Sequence, residues 1–167
     1  VLASFPTSHW KSTELLVPSY TSMPGYWAKG KWVYDFLRNA FIGRTRGSAD
    51  ELPSRIYISR ADAGRRVVTN EDELVGYLES HGFTPVVLSE MPFDEQVEMF
   101  SQADTILAPH GGGLVNLAFC RPGTTVIELF PPRYVNVCFW FICHHVNLNY
   151  FYHVGRERDG LEDSTDA

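Results

Sequence analysis

Apolar positions fall into two kinds of run, short β-branched or aromatic stretches and longer stretches with a helical repeat, and the two alternate along the chain. Trp32, Val33, Phe36, Leu37, Ala40 and Phe41 recur at helical spacing and predict an amphipathic helix over 28–42 with that stripe inward. A polar, glycine-bearing loop over 43–53 leads to a first strand, Arg55-Ile56-Tyr57-Ile58-Ser59. A second helix is expected over 71–81: Asn70 with Glu73 three residues on has the form of a capping box, and Gly82 closes the helix. Its apolar face is Leu74, Val75 and Leu78.

The alternation continues with a strand over 84–88, a helix over 93–103 that places Phe93, Val97 and Phe100 on one side, and a strand over 105–108. After a glycine turn, Leu114, Leu117 and Ala118 mark another helix, Pro122-Gly123 breaks it, and 124–130 is a strongly apolar strand. A helix near 134–143 and a strand near 149–152 complete the set. Pro6, Pro18, Pro24 and Gly25 punctuate the opening stretch, whose one strand candidate is Leu15-Leu16-Val17. The expected division is a linker over 1–27, one Rossmann-like domain over 28–154 and a frayed acidic tail over 155–167, with no internal repeat.

Strands that alternate with helices favour a parallel sheet covered on both faces through right-handed crossovers. The fold class is therefore α/β, a doubly wound, mostly parallel Rossmann-like sheet of about five core strands with helices on both faces.

Composition narrows the partners. The chain is 44% apolar and 20% charged, as a globular domain is, and its formal net charge of -6 excludes a broad nucleic-acid-binding surface. Arg55, Arg60, Arg65 and Arg66 form a local basic cluster that suits a small polyanion. The cysteines, Cys120, Cys138 and Cys143, are odd in number and read as reduced thiols. Cys138 and Cys143 with His144 and His145 can be read as metal ligands, but they lie in an apolar run without a second ligand pair at zinc spacing, so core packing is the preferred reading and no metal is expected. No run reaches the roughly 18 to 20 apolar residues that span a bilayer. The chain starts at Val1 rather than Met, and is expected to be a piece of a longer protein.

In an open parallel sheet, ligands bind beyond the carboxyl ends of the strands, so the residues just after each strand are the informative ones. Gly111, Gly112 and Gly113 stand between a strand and a helix, where close backbone approach, free N–H groups and the helix dipole make an anion site; the competing reading is a turn that needs positive φ. His110 adds a group that can donate to a phosphate oxygen or transfer a proton, or can be structural. Arg60, Arg65 and Arg66 leave the first strand and can present a guanidinium fork to phosphate, or form a solvated loop. Glu128, inside the apolar string 126–130, must be satisfied by a partner, either ribose hydroxyls or an arginine. Asn116, one turn beyond Gly112, either contacts the ligand or lies on the helix surface.

Arg55-Ile-Tyr-Ile-Ser-Arg60, Arg65-Arg66-Val67, Asn70-Glu71-Asp72-Glu73-Leu74, Ala108-Pro-His-Gly-Gly-Gly-Leu-Val-Asn116 and Pro122-Gly-Thr-Thr-Val-Ile-Glu-Leu-Phe-Pro131, in this order, resemble glycosyltransferase family 61 from about residue 15 to 152. That family includes plant xylan transferases, animal O-linked N-acetylglucosaminyltransferases and bacterial proteins of capsular polysaccharide synthesis. The resemblance implies a GT-B arrangement and an inverting transfer from a nucleoside-diphosphate sugar, UDP-linked by expectation, to a glycan or glycoprotein hydroxyl, with no cofactor and no obligatory metal. It also implies roles. Arg60 with Arg65 or Arg66 would neutralise the diphosphate, His110 with Gly111 to Gly113 would line the phosphate pocket, and Glu128 would hold the ribose. Family members often carry alanine where this chain has Gly112. The acceptor-binding lobe is expected to be missing, and no general base is assigned. The compartment depends on the source, cytoplasmic for a bacterial member and the Golgi or ER lumen for a eukaryotic one.

Three other readings compete. A nucleotide-sugar-binding module would bind without transferring. A dehydrogenase would place G-x-G-x-x-G after the first strand, which this chain does not. The His-Gly-Gly-Gly run is similar to an esterase oxyanion loop, but no G-x-S-x-G nucleophile elbow accompanies it.

Overall fold

The computed structural model describes residues 14, 29–43, 52–64 and 67–156. The linker expected over 1–27, the strand candidate at Leu15-Leu16-Val17 and the tail expected over 155–167 lie outside these residues, apart from Glu14, Gly155 and Arg156.

Five strands, β1 (Arg55–Ile58), β2 (Thr84–Val86), β3 (Thr105–Pro109), β4 (Thr125–Phe130) and β5 (Asn149–Val154), form one sheet in the order β2-β1-β3-β4-β5. Every pairing is parallel. The helices are α1 (Lys31–Phe41), α2 (Glu71–Ser80), α3 (Phe93–Gln102) and α4 (Cys138–Val146), with 3-10 segments at Leu88–Glu90 and Gly112–Phe119. The expected α/β sheet is therefore the observed one. It is doubly wound: α2 covers one face, and α3, α4 and the longer 3-10 segment cover the other.

Strand alternation sorts the core. Ile56, Ile58, Ile106, Ala108 and Val126 point to the larger core with Val97, Phe100, Leu114, Leu117, Phe139 and Ile142. Tyr57 and Leu107 point the other way, against Leu74, Val75 and Leu78 of α2, the helix face that the sequence predicts. Tyr57 is fully enclosed there and donates to Glu71 at 2.7 Å.

Four expectations need correction. The α1 stripe is rotated: Tyr34 is its buried residue, with Leu37 packed beside it, while Trp32 and Phe36 are exposed. The cause is α1's neighbours, the 3-10 segment and α4. Arg38 reaches Ala118 O at 2.9 Å and also Cys120 O, and Tyr34 stacks on His145. In α3, Met99 is buried and Phe93 half exposed, its ring edge-on to Phe41 and Phe119. The Asn70 side chain does not cap α2; its amide donates to Glu73 at 3.2 Å instead. The last helix starts later than expected, at Cys138, whose N–H is met by Asn136 Oδ1 at 2.9 Å, and ends at left-handed Asn147.

Candidate functional site

In a sheet ordered 2-1-3-4-5 the chain winds in opposite directions from β1 and β3, so a crevice opens between their carboxyl ends. β1 runs out into Ser59-Arg60 there, and β3 into His110-Gly111. Ser59 N–H still bonds Val86 O of β2 at 2.9 Å, and His110 N–H bonds Leu129 O of β4 at 2.8 Å. Both segments thus leave the sheet from anchored backbone. Beyond Ser59 the chain turns at once, with Ala63 N–H on Arg60 O at 2.8 Å and the Ser59 hydroxyl accepting from Ala61 N–H at 3.1 Å.

That turn sends the Arg60 side chain across the crevice. Its guanidinium lies directly against the Gly111 backbone, occupying the space where a Cβ would stand. Gly111 is buried and extended, at φ -178°, and none of the three glycines has positive φ. The glycine at 111 therefore answers to close approach by Arg60, and the positive-φ turn reading fails. Gly113 answers to Leu88, whose Cδ1 would stand 2.7 Å from an added Cβ. Gly112 is exposed, with open space around its Cα. The helix expected after the glycines is the 3-10 segment, opened by Leu114 N–H on Gly111 O at 3.0 Å.

Of the predicted residues, Arg60 and Gly111 meet directly at this crevice; Gly112 and Gly113 follow in the chain, with Gly113 against Leu88, and the His110 ring packs on the β4 and α4 side. Arg65 and Arg66 lie outside the described residues. Asn116 is buried rather than on the helix surface, and donates to Gln96 Oε1 at 2.8 Å. Gln96 in turn donates to Leu88 O at 2.8 Å and Met91 O at 2.9 Å, which ties the β2–α3 connection to the 3-10 segment.

His110 is only 4% exposed. Its ring is held among Phe130, Phe139 and Tyr134 at centroid distances of 5.2, 5.0 and 5.3 Å. Its Nδ1 bonds Glu128 Oε1, and Tyr150 donates to Glu128 Oε2 at 2.6 Å. Glu128 is 0% exposed, and among the described residues its carboxylate is met by these two partners and by no arginine. Burial first, and the hydrogen bond and charge of Glu128 next, push the Tyr150 phenol well above the ordinary tyrosine value. It is therefore a secure donor at neutral pH. Cys143, packed near Glu128, is pushed up to about 12, by burial first and the Glu128 charge second.

Tyr150 and Gln96 are the site residues that sequence reading misses. Period-2 alternation within β5 could place Tyr150 on one face, but its proximity to Glu128 depends on the Val126↔Tyr150 register. Among the described residues, no three His, Cys, Asp or Glu side chains come together as a metal-ligand set, and no helix is long and apolar enough to cross a membrane.

The sequence profile of the family described as Glycosyltransferase 61 matches residues 10–127, more than half of the chain. The matched stretch contains Arg60 and the whole run from His110 to Asn116, and stops one residue before Glu128. The chain is also similar to a protein O-linked-mannose beta-1,4-N-acetylglucosaminyltransferase 2 of Takifugu rubripes, 35% identical over 95 residues. That alignment covers 53% of this chain and 16% of the relative.

Proposed function

The chain belongs to the glycosyltransferase 61 family, and from that premise we propose that it is the donor-binding lobe of an inverting glycosyltransferase. The donor is a nucleoside-diphosphate sugar, UDP-linked, and the acceptor a hydroxyl of a glycan or glycoprotein. The observation that carries the reading is the meeting of the Arg60 guanidinium with the Gly111 backbone at the switch point. A guanidinium fork matches the geometry of phosphate oxygens, and a phosphate laid on the glycine turn meets it at once.

In this reading Arg60 and His110 stabilise the leaving diphosphate, where negative charge builds as the bond from the sugar's anomeric carbon to the phosphate oxygen breaks. The acceptor and its general base belong to the other lobe of a GT-B arrangement. The name of the Takifugu rubripes relative supports N-acetylglucosamine as the sugar, and transfer is an activity of the whole protein.

Calorimetric titration with UDP tests the proposal. The wild-type chain is expected to bind saturably, and Arg60→Ala and His110→Ala to weaken binding by at least about tenfold each, as the loss of a charge-assisted contact does. A folded wild type that takes up no UDP sinks the reading.

A further inference from the structure

The hydrogen-bonded chain Tyr150–Glu128–His110 goes beyond what a phosphate pocket needs. We propose that Glu128 and Tyr150 are positioning residues, which fix the His110 ring so that its Nε2 is presented to the donor diphosphate. The proposal rests on the donor-lobe reading above and deepens it.

An ionised carboxylate only accepts hydrogen bonds, so each of its two partners must bring the hydrogen. Tyr150 supplies O–H to Oε2, and in the proposed arrangement His110 supplies Nδ1–H to Oε1, the atom it bonds. That tautomer leaves Nε2 as the ring atom for an external partner. A turn that would exchange the ring nitrogens is resisted by Phe130, stacked on the ring at 29°, and by Phe139 and Tyr134, whose rings lie against it. A diphosphate offers acceptors only, so Nε2 meets it as a donor.

Glu128 in this arrangement does not hold ribose. Both of its oxygens are engaged and the residue is fully enclosed, so a ribose hydroxyl would have to displace Tyr150 or His110. The link also gives edge strand β5 a part in the site, through Tyr150, although its own carboxyl end is two strands away from the crevice.

Two conservative variants keep the fold and separate the contributions. In Glu128→Gln the amide can accept from Nδ1–H and donate to the Tyr150 oxygen, so shape and bonds persist while the charge is lost. Tyr150→Phe keeps the charge and the ring and removes one hydroxyl. The first readout needs no nucleotide: in nitrogen-detected NMR of histidine-labelled protein, His110 is expected to carry its hydrogen on Nδ1, as a downfield, slowly exchanging proton. Both variants should shift that resonance, and Tyr150→Phe should speed its exchange. A wild-type His110 protonated on Nε2 alone overturns the proposal.

The second readout is calorimetry with UDP and with inorganic pyrophosphate, which has no ribose. Each variant should weaken both ligands by the same factor, about tenfold. In a His110→Ala background, Tyr150→Phe should add nothing, since it acts only through the ring. A loss confined to UDP assigns Glu128 to the ribose and overturns the proposal, as does undiminished binding of both ligands by both variants. If wild type binds neither ligand, the donor-lobe reading falls, and the tautomer spectrum still decides the relay.

Discussion

The Arg60 guanidinium rests where a side chain on Gly111 would begin. An arginine after β1 and a glycine after β3 are thus complementary halves of one surface, and the glycine is required by the arginine rather than by its own φ. Gly111→Ala should leave the fold intact, because the long Arg60 side chain can swing aside, but should displace the guanidinium and weaken UDP binding by about tenfold. Gly112→Ala, with open space at its Cα, should change neither affinity nor melting temperature. Calorimetry and thermal unfolding of the two variants check the contrast, and equal behaviour of both refutes it.

Gly113→Ala should act on stability. Its Cβ would press on Leu88 Cδ1, and overpacking of this kind costs about 1 to 3 kcal/mol. Combining it with Leu88→Val, which has no δ carbon, should recover part of the loss. Urea titrations of the two single variants and the pair measure the coupling, and strict additivity contradicts the contact.

Arg38 closes the end of the 3-10 segment through the carbonyls of Ala118 and Cys120. Arg38→Met keeps much of the apolar stem and strands the carbonyls of two buried residues, a loss of about 2 kcal/mol. Denaturation in urea should show a lower midpoint with an unchanged slope. An unaltered midpoint means that water satisfies those carbonyls equally well.

Thiol reactivity should track burial. Cys120 and Cys143 are enclosed and Cys138 is partly accessible, so a thiol reagent at neutral pH should label Cys138 first in the native protein and the other two only on unfolding. Rapid native labelling of all three contradicts the packing.

The same thiols predict an alkaline limit to stability. Cys143 is raised from 9.0 to about 12 in the folded state, mainly by burial, so the native chain keeps a proton that the unfolded chain releases. Its contribution is complete below pH 9.0 and is lost progressively as pH rises toward about 12. Cys120, Tyr57 and Tyr150 are shifted in the same direction, each by burial first, and add to the decline. Cys143→Ala should flatten part of it in unfolding curves recorded across that range. An identical slope in wild type and variant removes Cys143 as a cause.

Periodicity alone determined that this chain makes β1 to β5 in alternation with helices, because residues that share a strand or helix face are set by local geometry. It also placed Arg60 and His110-Gly111 at the carboxyl ends of strands, where parallel sheets bind ligands. It could not orient α1, since Tyr34 and Arg38 were drawn inward by α4 and the 3-10 segment, neighbours with no fixed spacing from it in the chain. Nor could it choose between ribose and arginine for Glu128, or find Tyr150. The register of β5 on β4, together with the enclosure of a carboxylate that must be satisfied from both sides, brought His110, Glu128 and Tyr150 together. Those contacts are non-local, and only the folded sheet decides them.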